Sequence, residues 1–227
     1  MFESKYSKVL TILLVIVIIA IVGLLGFLAY DYYQNYAIST DAKDFVDNFQ
    51  GEISDTQNTT NTDNTTGNVS TEDPFNAIET TNTSGSGNSS TSKPTYKGFG
   101  MLGTLEIPAI DFEYPVLEKV TPKSIETAVA FSYGVGLNQP GNTVIVGHNY
   151  RNGLFFSNNK RLQIGDKLYV TDLNKNRLSY TIYNKFETDA NDASFYQRDT
   201  GGVPEVTLST CTDDSSARLI IFARADG

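Results

Sequence analysis

From Val9 to Ala29 the chain carries no charged side chain, and Thr11 is its only polar one. At helical rise this run spans roughly 30 Å, the thickness of a bilayer's hydrocarbon core, so a transmembrane helix is expected over residues 9–30. A cleaved signal peptide has a shorter apolar region with a small-x-small site directly after it. The nearest such site, Ala37-Ile38-Ser39, lies well downstream, which favours an uncleaved anchor. Lys5 and Lys8 precede the run and Asp31 follows it. The positive-inside bias then places residues 1–8 in the cytoplasm and the rest of a single-pass chain outside the cell.

Beyond the apolar run the composition changes twice. Between Ser54 and Ser92, 28 of 39 residues are Ser, Thr, Asn or Gly, too few of them apolar to offset the entropy of ordering. Residues 31–95 are therefore expected to form an extracytoplasmic disordered tether. Its polar stretch, as a flexible coil, would reach roughly 35 Å and lift a domain off the membrane. Asp73-Pro74-Phe75, within it, reads as an ordinary turn in a polar linker.

From about Tyr96, short β-branched and aromatic runs alternate with Gly, Pro, Asn and Asp, the pattern of an all-β domain over residues 96–227. The expected strands are Leu102–Ile107, Tyr114–Leu117, Thr143–Gly147, Lys167–Asp172, Arg177–Phe186, Glu205–Ser209 and Arg218–Ala223. Asn174-Lys175-Asn176 is expected to be a hairpin turn. Pro122 and Ser124 suit a helix start, which predicts a short helix over Lys123–Ala130. A closed or nearly closed barrel follows.

A formal charge of -9 and a sequence pI near 4.6 exclude a nucleic-acid surface, because phosphate binding needs clustered Lys and Arg. The chain has one histidine, His148, so a multi-histidine zinc site cannot be assembled from it. It also has one cysteine, Cys211, which rules out an intramolecular disulfide. Both residues end an apolar strand-like run where a polar loop begins: Val206–Thr210 before the thiol, Thr143–Gly147 before the imidazole. Strand ends on a rigid scaffold can hold a nucleophile and its proton partner in fixed relation. The residues alone leave this reading level with a packed thiol and a structural histidine.

Three motifs carry a resemblance to a known family. Thr207-Leu208-Ser209-Thr210-Cys211 resembles the sortase signature Thr-Leu-x-Thr-Cys, with Arg218 opening the next strand. Val144-Ile145-Val146-Gly147-His148 is similar to the strand carrying the family's histidine, and Gly103-Thr104-Leu105-Glu106-Ile107-Pro108-Ala109-Ile110 to its first strand. The order agrees, and the resemblance covers roughly Met101 to Ala225. Arg224 competes with Arg218, since period-two alternation puts both on one face. Arg218 is preferred because in sortases the catalytic arginine precedes an aliphatic run, here Leu219-Ile220-Ile221.

The resemblance implies a mainly β, sortase-like closed β-barrel of seven to eight strands with one or two short helices. It implies a cysteine transpeptidase that cleaves a C-terminal, LPXTG-like sorting signal of secreted surface proteins after its Thr. The acyl group would pass to an amine of lipid II or of a peptidoglycan cross-bridge. Cys211 would be the nucleophile, His148 the general acid and base, Arg218 the oxyanion stabiliser, and Thr210 a substrate contact, with no cofactor and no metal ligand set. Two other readings stand beside it. One is a pilin-polymerising sortase in which Asp73-Pro74-Phe75 acts as a lid, and the other a non-catalytic envelope-binding β module.

Overall fold

The computed structural model describes residues 3–57 and 93–227. Asp73-Pro74-Phe75 and the polar stretch from residue 58 to 92 lie outside the described residues.

Helix α1 runs without interruption over Glu3–Gln57. The stretch Lys8–Gly51 contains a window long and apolar enough to cross a membrane, and none of that window is buried by the protein. The helix does not end at residue 30, where the tether was expected to begin. Past Asp31 the sequence keeps an apolar stripe at helical spacing, Ile38, Ala42, Phe45, Val46 and Phe49, which packs against the domain that follows. The charge at Asp31 marks the end of the hydrophobic span, while the helix persists because one face still has a partner.

Among the described residues nine strands follow: β1 Thr95–Tyr96, β2 Phe99–Ile107, β3 Phe112–Leu117, β4 Val129–Tyr133, β5 Gly141–Val146, β6 Lys167–Asp172, β7 Arg177–Asp189, β8 Pro204–Cys211 and β9 Ala217–Ala225. Their order is β1-β2-β3-β4-β5-β8-β9-β7-β6, and pairing of β2 with β6 closes eight of them into a barrel to which β1 adds at one edge. β3–β4 and β5–β8 are parallel, and the other pairs are antiparallel. Closure leaves the eight strands without a free edge. The predicted mainly β barrel with few helices and an apolar N-terminal helix is the observed fold.

The interior is filled by alternate residues of each strand, among them Leu105, Val116, Ile145, Leu168, Ile182, Leu208 and Ile221, all essentially inaccessible. The opposite face of β5, β8 and β9 carries a second apolar cluster, Val144, Ile220 and Phe222, covered by Phe195 from the β7–β8 connection. This outer face is where the site lies.

A second element departs from expectation. Helix α2 is only Pro122–Ile125, started by a capping box in which Thr121 and Ser124 satisfy each other's backbone N–H groups. The rest of the expected helix gives way to β4, whose Val129 and Ala130 pair with Val116 and Leu117 of β3, while Ala130 also pairs with Val146 of β5. β4 bridges β3 and β5, and filling that gap in the closed sheet outweighs a weak local helical preference.

Candidate active site

Cys211 is the last residue of β8 and stands directly opposite Arg218 of β9. Side chains directly opposite across two strands share a face, so the guanidinium and the thiol project together. An Nη1–H of Arg218 donates to Cys211 Sγ at 3.2 Å. Arg224, on the same face as expected, is opposite Glu205 instead, and its Nε donates to Glu205 Oε1 at 2.8 Å. The structure thus places Arg218, not Arg224, against the sulfur.

His148 is brought in by the parallel pairing of β5 with β8, which sets Val146 beside Ser209. Two residues further on, both chains reach the same end of the barrel. Four contacts fix the imidazole loop to the thiol strand there. Gly147 N–H donates to Ser209 O at 3.3 Å, and Thr210 Oγ1–H donates to Gly147 O at 2.7 Å. Asn149 Nδ2–H donates to Cys211 O at 3.0 Å and to Asp213 Oδ1 at 2.9 Å. The His148 ring stacks on Tyr150, centroids 4.8 Å apart. Gly147 has no room for a side chain, since a Cβ there would lie 2.8 Å from Phe156 and from Val129.

Cys211, His148 and Arg218 line one cleft of about 390 Å³, whose far wall is the start of the β7–β8 connection, including Asp192, Phe195 and Tyr196. That connection is fastened at several points. Asn142 Nδ2 donates to the carbonyls of Phe195 and Tyr196, each at 3.0 Å. Arg198 donates to Glu205 Oε2 at 2.6 Å and lies 3.7 Å over the Phe222 ring. The Glu205 side chain is wholly buried between Arg198 and Arg224, so its charge is paired rather than stranded. A larger cleft, about 750 Å³, opens at the other end of β5 between Tyr133 and Arg198 and contains neither thiol nor imidazole.

The fourth expected site residue has a different neighbourhood. Thr210 borders the cleft, but it is only 3 % exposed and its hydroxyl is spent on the Gly147 carbonyl. It faces the barrel interior with Leu208, one residue out of phase with Cys211. Asn149, Asp213 and Gly147 were not foreseen as site residues. Lys160, 2.7 Å away, and then Asn149 hold the Asp213 carboxyl below the usual range. Asp214 is lowered further, to about 2, by Thr212 and Ser216 in the β8–β9 turn. These acidic residues build the turn behind the thiol. A polar residue directly after His148 was the one signal in the sequence for Asn149.

A sequence model of the Sortase domain matches residues 105–226, more than half of the chain. The chain belongs to the sortase family. Sortase A of Bacillus anthracis is 30% identical over 124 residues, which cover 53% of this chain and 58% of that protein. The chain therefore spans little more than half the length of that curated relative. Among solved structures, sortase C of Streptococcus pneumoniae superposes with a TM-score of 0.51 at 26% identity, covering 56% of this sortase and 67% of that chain. A Clostridium perfringens sortase D5 transpeptidase gives 0.51 at 25%, covering 56% and 80%. These relatives carry three different class letters, and this sortase is not assigned to one of them. The family match, residues 105–226, falls on the described barrel.

Proposed function

We propose that this sortase is a membrane-anchored cysteine transpeptidase that joins secreted proteins to an amine of the cell envelope. The observation that carries the reading is the 3.2 Å contact between the Arg218 guanidinium and Cys211 Sγ in a cleft that His148 also lines. The Cys211 thiolate attacks the Thr carbonyl of an LPXTG-like sorting signal, forming a C–S bond and placing negative charge on the carbonyl oxygen. Arg218, always protonated, stabilises that charge with fixed donors. Protonated His148 gives its proton to the departing amine as the C–N bond breaks, leaving a thioester. An amine of lipid II or of a peptidoglycan cross-bridge then attacks the thioester. Neutral His148 takes a proton from it, and the thiolate leaves as the new amide forms.

Thr210 acts in this scheme as a positioning residue, through the Gly147 carbonyl, in place of the direct substrate contact first expected. Asn149 and Asp213 act likewise on the loop after His148. Residues 1–8 are cytoplasmic, Val9–Ala29 crosses the membrane, and the barrel works outside. The test is incubation with a panel of sorting-signal peptides, with and without acceptor amines, followed by intact mass. A covalent adduct on Cys211, lost in Cys211→Ala and discharged by the correct amine, is expected. An inert thiol with every peptide would favour a non-catalytic envelope module.

A further inference from the structure

Helix α1 does more than anchor the chain, because it also holds the barrel at a defined height. The first barrel contact along it is made by Asn35, whose Oδ1 accepts from Asn152 Nδ2 at 3.1 Å. Asn152 belongs to the loop directly after His148. Further along, Asp41 accepts from Tyr96 OH at 2.8 Å, Lys43 pairs with Asp111, and Phe49 lies under Lys175, 3.4 Å from its ring centre. Contacts from Asn35 to Gln50 fix one orientation of barrel to helix.

The height follows from helix geometry. Asn35 lies six residues beyond Ala29, the end of the apolar run, or about 9 Å along the axis. The headgroup layer occupies about 5–8 Å on each side of the hydrocarbon core. The loop after His148 is thus at the outer edge of the headgroup layer, within reach of it for long side chains, whereas Lys175, against Phe49, is about 30 Å above the apolar boundary. The side chains at the lower level suit that layer. Tyr30, Tyr32, Tyr33 and Tyr36 are exposed on the helix just past the span, the position of an interfacial aromatic belt. On the barrel, Tyr150 is 43 % exposed and Arg151, Asn152 and Gly153 are exposed beside it. Tyr32 and Tyr36 form a crevice with Asn152 and Leu154.

We propose that the Tyr150–Gly153 loop is a membrane-surface contact, seated by helix α1 in the phospholipid headgroup layer, so that the cleft of Cys211 and His148 works at the bilayer surface. This rests on reading Val9–Ala29 as the span and does not depend on the transpeptidase chemistry. Tyr and Arg supply what the layer takes: amphipathic rings at the interface and a guanidinium for lipid phosphate.

The test uses the full chain with Cys211→Ala, in vesicles of one part phosphatidylglycerol to three parts phosphatidylethanolamine with a trace of nickel-chelating lipid. Nitroxides are placed singly at Tyr150→Cys, Asn174→Cys and Ala20→Cys. Relaxation by the lipid-borne nickel is expected to be at least threefold stronger at position 150 than at 174, and a water-soluble relaxant should not reach position 20. Adding Ala42→Arg, which forces the helix off the barrel, should remove the difference between 150 and 174. Equal relaxation at 150 and 174, or a difference that survives Ala42→Arg, overturns the proposal. Water access at position 20 removes the span itself and the proposal with it, whatever the peptide assay shows.

Discussion

The Arg218 contact to sulfur also predicts what a change at that position does. Arg218→Ala removes the donors that face the developing oxyanion, and Arg218→Lys keeps the charge but loses the planar fork. Both are expected to slow adduct formation by about a hundred- to a thousandfold, measured as single-turnover rates with one peptide. Thr210 tests positioning separately from chemistry. Thr210→Val leaves the buried Gly147 carbonyl without its 2.7 Å donor and should cost about 1–3 kcal/mol in urea unfolding. Thr210→Ser, which keeps the hydroxyl, should recover most of both stability and rate. The motif around Cys211 and Arg218 was legible from residue order alone. The hydroxyl's actual partner was not, because alternation along β8 shows which face Thr210 takes only once the barrel's inside is known.

Among the elements, the junction of α1 with β3 carries a titrating group. Burial raises the Glu113 carboxyl from its ordinary 4.5 to about 7, with Asp47 of the helix and Glu106 of β2 adding to the rise and Lys43 partly offsetting it. Between these two values the folded protein holds a proton that the unfolded chain has lost, so this group's contribution to stability falls as pH climbs from about 4.5 through 7. Above that window two carboxylates face each other across the junction. Helix docking is therefore expected to be tighter at pH 5 than at pH 8. Glu113→Gln should flatten that difference and raise the thermal midpoint at pH 8, read by paired melts of both proteins. Strand identity was well marked in the sequence, and β6 occupies the expected span, Lys167–Asp172. β4 was hidden because Thr121–Ser124 is a genuine helix start, and nothing local says that the helix must stop after one turn.

For the molecule as a whole, the apolar stripe of α1 completes the barrel's surface. Val46 is inaccessible, Phe49 nearly so, and the Phe45 ring packs edge-on against Tyr96 at 4.9 Å. Burying Val46 and Phe49 is worth at most roughly 3–6 kcal/mol. A soluble fragment of residues 31–227 should therefore melt at least about 5 °C above one of residues 93–227, by calorimetry, and the shorter fragment should self-associate. The apolar run, the alternating strands and the Thr-Leu-x-Thr-Cys motif were legible because each is a local pattern of period, length or order. They specify a candidate membrane span, a β domain and a candidate nucleophile without reference to distant residues. Where the barrel sits relative to helix α1 was not legible in that way. The polar composition of Ser54–Ser92 described a spacer expected to extend back to residue 31, whereas the stripe at Ile38, Ala42, Val46 and Phe49 acquires meaning only when β3 supplies the surface it buries against. The docking of helix α1, the partner of Arg224 and the short α2 all depend on contacts between residues far apart in the chain, and only the folded arrangement decides such contacts.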